Sequence, residues 1–227
     1  DRTTLGADNG CGVATILYIL DSKDFPHPPL ECYFASQEEI GLIGASNIDV
    51  SKFKARRAIG LDAGTDGVLC EGASSKYTYE LCHAAQWEEN HNQSWKLTVS
   101  GLMGGHSGAE IDKNRANANS LLGKFLHGLD EKTDFELISV QGGQKDNAIT
   151  REATAEILVL EENVDAVREY AASVQGAWRE EYAGTDEGIT VTVEDEGKQE
   201  VRVLHPTSKE KVIFFLVNVP YGVCLLY

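Results

Sequence analysis

From residue 87 onward the spacing of apolar residues switches repeatedly between the period of a strand and that of a helix, and this order of switches restricts the possible folds more than any other feature. "SWKLTVSGL" alternates as a strand, and "KNRANANSLLGKFLHGLDEK" places Ala118, Leu121, Leu122, Phe125, Leu126 and Leu129 on one side of a helix. "FELISVQGG" and "TAEILVLEE" read as strands, "VDAVREYAASVQGAWREEY" as a second helix and "GITVTVEDEG" as a last strand. The order β-α-β-β-α-β is the split, ferredoxin-like motif, an antiparallel sheet with both helices on one face. Pro206 then interrupts the chain, and "SKEKVIFFLVNVP" resumes as an apolar helix. If that helix packs back on the residues before 87, then 87–205 is a domain inserted into another one, made of segments 1–86 and 206–227.

The first segment reads as α/β. Residues 9–22 carry Val13, Ile16, Leu17 and Leu20 at helical spacing behind the capping candidates Asp8 and Asn9, which predicts a buried helix. "LECYFAS" and "RRAIGLDAG" are short apolar runs of the kind that form interior strands of a doubly wound sheet. In such sheets functional groups gather beyond the strand ends. Three acidic positions obey that rule: Asp8 in "GADNG", the pair Glu38 and Glu39 after "CYFAS", and Asp62 after "AIGL". Adjacent side chains on a strand point to opposite faces, so Glu38 and Glu39 act together only from a turn, and Gly41 permits one. Carboxylates gathered in one cleft repel unless a cation neutralises them. Carboxylate oxygens at about 2.0–2.2 Å suit zinc, and a shared carboxylate suits two ions roughly 3.5–4 Å apart. Glu39 would then ligate while Glu38 takes a proton from a bound water. The residues alone leave ordinary loop acids and helix caps as the alternative.

Charge narrows the partners. A net charge of -16 and a pI near 4.7 argue against a nucleic-acid backbone as partner, since such binding shows as a basic patch. No apolar run approaches the roughly 18 residues of a membrane span, and no signal peptide opens the sequence. Five cysteines, irregularly spaced among apolar neighbours, predict buried free thiols in a reducing compartment and hence a cytoplasmic protein. An opening Asp1 and the apolar ending "GVCLLY" read as marks of an internal segment of a longer polypeptide.

The motifs "TTLGADNGCGVA", "ASQEEIGLIGA", "AIGLDAG", "GLMGGHSGAEIDKNRANANSLL" and "GGQKDNAITREA", taken in this order, resemble the aminoacyl-histidine dipeptidases. These are dinuclear zinc metallopeptidases related to the carnosinases and carboxypeptidase G. The resemblance covers nearly the whole chain, and it implies an α/β zinc-peptidase catalytic domain interrupted by the ferredoxin-like lid. It implies two divalent metal ions, zinc in that family, a small peptide substrate of the Xaa-His type and a homodimer formed through the lid. Carried over residue by residue, Asp8 resembles the bridging carboxylate, Glu39 and Asp62 the ligands of one metal each, and Glu38 the general base. His106 of "GGHSG" resembles the lid histidine that reaches a substrate oxygen, often in a partner subunit. Asn147, Arg151 and Arg115 resemble substrate-facing lid residues, although Arg115 also has Glu110 and Asp112 within pairing distance along a helix start.

The sequence departs from that pattern as well. The family supplies a histidine to each metal, one from a His-x-Asp strand end, and neither lies within these residues. "AGTDGVLCEGASS" follows Asp62 where relatives carry further acids, and Thr150 stands where proline is commoner. His27, His83, His91, His127 and His205 have no acidic partners at ligand spacing and read as ordinary histidines. Two rival readings stay open: a non-catalytic dimerisation or binding protein with a vestigial metal site, and a related aminoacylase or aminopeptidase.

Overall fold

A computed structural model describes residues 7–62, 67–71 and 79–223. The chain divides into two compact units, Asp1–Ala73 and Ser74–Tyr227.

In the second unit the strands are β1 (Trp87–Ser100), β2 (Gly105–His106), β3 (Glu136–Gly142), β4 (Ala148–Ile149), β5 (Ala153–Leu158) and β6 (Thr190–Leu204). Four of them form an antiparallel sheet in the order β3-β5-β1-β6, while β2 and β4 pair separately. With helices at Ala118–Asp130 and Val164–Glu181 between the strands of the main sheet, this is the β-α-β-β-α-β arrangement expected. Strand β1 begins earlier than its alternating stretch, because the polar "WEENHNQ" pairs with residues 198–204 as a two-stranded extension beyond the sheet. On the β1 side Trp87, Glu88 and Glu89 are exposed and show no apolar alternation, while Val203 and Leu204 across from them in β6 are buried.

The core lies on one face of this sheet. Trp95, Leu97 and Val99 of β1 and Ala153, Ala155 and Ile157 of β5 are buried at every second position. Leu121, Leu122, Phe125, Leu126 and Leu129 of the first covering helix oppose them, with Val164, Val167, Ala171 and Trp178 of the second. Each such large side chain contributes about 1.5–3 kcal/mol on leaving water, which is why amphipathic spacing specified both helices. Asn117 starts the first helix by accepting from the amides of Asn119 and Ser120.

The final helix, Pro206–Asn218, belongs to this second unit. It is capped by His205, tied to Gln86 through Ser208 Oγ (3.0 Å), and paired to Asp130 through Lys209 (2.6 Å). It lies so close to Ala118–Asp130 that a Cβ on Gly123 would come within 2.6 Å of Leu216 Cβ.

The first unit contains helices Gly10–Asp21 and Ile43–Ser46 and a 3-10 turn at Val50–Lys52. The expected helix after Asn9 is present, and Asn9 Oδ1 accepts from the Gly12 amide at 2.8 Å. It is not buried, since Val13, Leu17 and Leu20 are each more than two-fifths exposed. "LECYFAS" and "RRAIGLDAG" are not strands among the described residues. A strand needs a neighbour to accept its backbone hydrogen bonds, and the described part of this unit offers none. Gly12 is its only buried residue among those described. The cysteine expectation is corrected as well: Cys11, Cys32, Cys70 and Cys82 are free but exposed, and Cys224 lies outside the described residues. Among the described residues no helix is long and apolar enough to cross a membrane.

Candidate functional site

The four acids predicted to form the metal site lie on three separate loops of the first unit. Asn9 Nδ2 donates to the Leu61 carbonyl at 2.7 Å across 52 residues, so Asp8 and Asp62 each stand one residue from a shared hydrogen bond. Glu38 and Glu39 sit in the turn between Ser36 and Gly44, closed by the Gly41 and Leu42 amides donating to the Glu38 carbonyl (3.2 and 2.9 Å). The Gly44 amide also donates to the Ser36 carbonyl at 3.1 Å. Gln37, Gly41 and Leu42 all have positive φ (56°, 107° and 56°), a conformation the turn imposes on two residues with side chains. The carboxylates of Asp8, Glu38, Glu39 and Asp62 are exposed and accept no hydrogen bond from another described residue. In kind, these donors fit a divalent cation that prefers oxygen ligands. In number they fall short, because among the described residues no three His, Cys, Asp or Glu side chains come together as a metal-holding group.

The second unit gathers four predicted residues about one loop. His106 is in β2, opposite Ala148 of β4, and the Ser107 amide donates to the Asn147 carbonyl at 2.9 Å. Nδ1 of His106 accepts from the amides of Gly108 (3.0 Å) and Ala109 (3.1 Å). In the neutral ring this assigns the proton to Nε2, leaving an N–H donor on the exposed side. The His106 amide donates to Glu110 Oε2 at 3.0 Å, and Glu110 Oε1 meets Lys113 Nζ at 2.8 Å and Arg115 at 3.0 Å. The Lys113 hydrogen bond, then the His106 amide and the Arg115 charge, hold the Glu110 carboxyl down at about 2 from its ordinary 4.5.

Arg115 also donates to the Gly104 carbonyl, so its guanidinium is engaged by this loop. Arg151 Nε donates to the Leu102 carbonyl at 3.2 Å, and its stem lies where a Cβ on Gly104 would come within 2.7 Å of Cδ. That contact and a φ of 65° explain glycine at 104. Beside Asn147 an open cavity of about 430 Å³ is lined by Asn119, Gly143, Lys145, Asp146 and Thr150. Thr150 Oγ1 accepts from Asn119 Nδ2 at 3.3 Å there.

Two residues of this arrangement escaped the sequence reading as site components. Glu110 left a signal, since it stands four residues after His106 and three before Lys113. Asp186 left none, because its partners Met103 and Ala116 are 83 and 70 residues away.

Residues 97–186 match the family model described as a peptidase dimerisation domain. The chain is 33% identical over 223 residues, 97% of its length, to the cytosol non-specific dipeptidase of Escherichia coli (strain K12), and covers 46% of that protein. It is 41% identical over 71 residues to peptidase T of Escherichia coli O1:K1 / APEC, covering 30% of this chain and 17% of that one. The crystal structure of aminoacylhistidine dipeptidase from Vibrio alginolyticus superimposes with a TM-score of 0.72 at 28% identity, over 99% of this chain and 46% of that one. The chain thus spans about half the length of the dipeptidases it matches.

Proposed function

We propose, for a chain related to the M20 dipeptidases over nearly all of its length, that the protein containing it hydrolyses dipeptides with the help of divalent metal ions. In this reading Asp8, Glu39 and Asp62 hold the cations, zinc by resemblance, and residues beyond these 227 supply the remaining ligands. A bound cation supplies Lewis acidity to a scissile carbonyl. Glu38, adjacent to Glu39 in the Ser36–Gly44 turn, accepts a proton from the attacking water and returns it to the leaving amine. His106 presents Nε2–H to the oxyanion, held in that tautomer by the Gly108 and Ala109 amides. Asn147, Arg115 and Arg151 shape the lid side of the substrate site, Arg115 and Arg151 through the Gly104 and Leu102 carbonyls. An Xaa-His preference, a homodimer formed through residues 97–186, a cytoplasmic location, and the division into a lid at 87–205 with catalytic segments 1–86 and 206–227 belong to the same proposal.

The observation that carries it is the relationship to a dipeptidase over 97% of the chain, together with the Asn9–Leu61 hydrogen bond that draws the Asp8 and Asp62 loops together. In the complete protein, Glu38→Ala loses about 10²–10⁴-fold in turnover of an Xaa-His dipeptide while metal content is kept. Asp8→Ala loses metal. Wild-type turnover in Glu38→Ala removes the general-base role. A second reading, self-association without catalysis, is favoured by the lack of a three-donor metal group among the described residues. Metal analysis of the complete protein separates the two.

A further inference from the structure

Asp186 is 1% exposed, and both of its carboxylate oxygens are used. Oδ1 accepts from the Met103 amide at 2.6 Å and Oδ2 from the Ala116 amide at 2.8 Å. Those amides stand at the two ends of the stretch that carries His106. The carboxylate is placed by the turn that follows the helix Val164–Glu181, where the Asp186 amide donates to the Tyr182 carbonyl at 2.9 Å. Burying a carboxylate is costly unless hydrogen bonds replace its water, and here both bonds go to one loop.

We infer that Asp186 is a positioning residue for His106, closing the 103–116 loop at its base so that the imidazole keeps one orientation and one tautomer. The inference rests on the proposal that His106 reaches a substrate oxygen. From the clamp the connection to the ring is short. Gly104 follows Met103 and accepts from Arg115, which precedes Ala116; Arg115 pairs with Glu110; Glu110 holds the His106 amide. Tyr221 Oη donates to the Arg115 carbonyl at 3.1 Å and helps to cover the base. If the base opens, Gly108 and Ala109 no longer meet Nδ1 at 3.0 and 3.1 Å, and the choice of nitrogen that carries the proton is lost. Water cannot take over the role of a carboxylate at 1% exposure without opening the loop.

The test uses the 227-residue chain labelled with ¹⁵N and reads the ring nitrogens of His106 by long-range heteronuclear NMR, with amide exchange at Met103 and Ala116. Wild type shows the Nε2–H tautomer, and both amides exchange slowly at similar rates. In Asp186→Asn, whose amide group can accept only on one side, the ring signals move towards a mixture of tautomers. At least one of the two amides then exchanges ten or more times faster. Ile189→Val, a core change three residues on that is also fully buried, leaves the ring signals in place. Unchanged ring signals in a folded Asp186→Asn protein overturn the inference. So does fast exchange at Met103 or Ala116 in the wild type, a result that needs no folded variant. None of these readouts depends on turnover, so a failed peptidase assay counts against the proposed function and leaves the clamp standing.

Discussion

Gly101→Ala is expected to be among the most damaging single-methyl additions to the second unit. Gly101 follows β1 with a φ of 79°, and a Cβ there would overlap the Gly188 carbonyl oxygen and lie 2.9 Å from its carbon. The approach is mutual, since a Cβ on Gly188 would stand 2.7 Å from the Gly101 oxygen. The obstacle is backbone on both sides, so no side chain can rotate away. The left-handed conformation costs alanine about 1–2 kcal/mol, and forcing apart a packed contact adds about 1–3 kcal/mol, for a loss of about 2–5 kcal/mol. Gly197→Ala provides the control. Its φ is 82°, nearly the same, but a Cβ there meets nothing within 4 Å, so only the conformational cost of about 1–2 kcal/mol remains. Urea denaturation followed by tryptophan fluorescence measures both, because Trp87, Trp95 and Trp178, the three tryptophans of the chain, all lie in the second unit. With unchanged slopes the midpoints give the difference in stability. Equal losses in the two variants would refute the backbone-contact argument. Gly188 is also two residues from Asp186, so Gly101→Ala should disturb the His106 loop, while Gly197→Ala should not.

Two further outcomes follow from the geometry. The Glu110 carboxyl carbon should titrate near 2, and Lys113→Ala should move that midpoint upward. Because the folded value lies below the ordinary 4.5, the contribution of this carboxylate to stability is complete above 4.5 and disappears as pH falls towards 2. A midpoint near 4.5 in the folded chain would contradict the ion pairs drawn around the loop. In hydrogen exchange, amides of β1 and the helix Ala118–Asp130 should be strongly protected and those of Gly10–Asp21 only weakly, since Val13, Leu17 and Leu20 lie exposed while Leu97 and Phe125 are fully buried. Equal protection of Gly10–Asp21 and β1 would show that the first unit is stabilised by more than its described contacts.

Much of the second unit was legible before any coordinates. Leu121, Phe125 and Leu129 announce a helix face, and Leu97 and Val99 a strand face, because a repeat of 3.6 or two residues is a local property of the chain. The cap at Asn9, the glycines about His106 and the link between Glu110 and Arg115 were readable for the same reason, each involving residues at most five positions apart. The sequence also carried the family relationship, through motifs spread over the whole chain.

Tertiary structure decided the rest. Whether "LECYFAS" becomes a strand depends on a neighbour to accept its hydrogen bonds, and apolar composition cannot supply one. That Pro206–Asn218 packs on the helix Ala118–Asp130 depends on the bare surface at Gly123, 93 positions before Leu216. Nothing near Asp186 in the sequence marks its role, which exists only once the chain folds and brings the Met103 and Ala116 amides to its two oxygens. Short-range spacing is written in the order of residues, whereas contacts across 70 or more positions exist only once the intervening chain has folded.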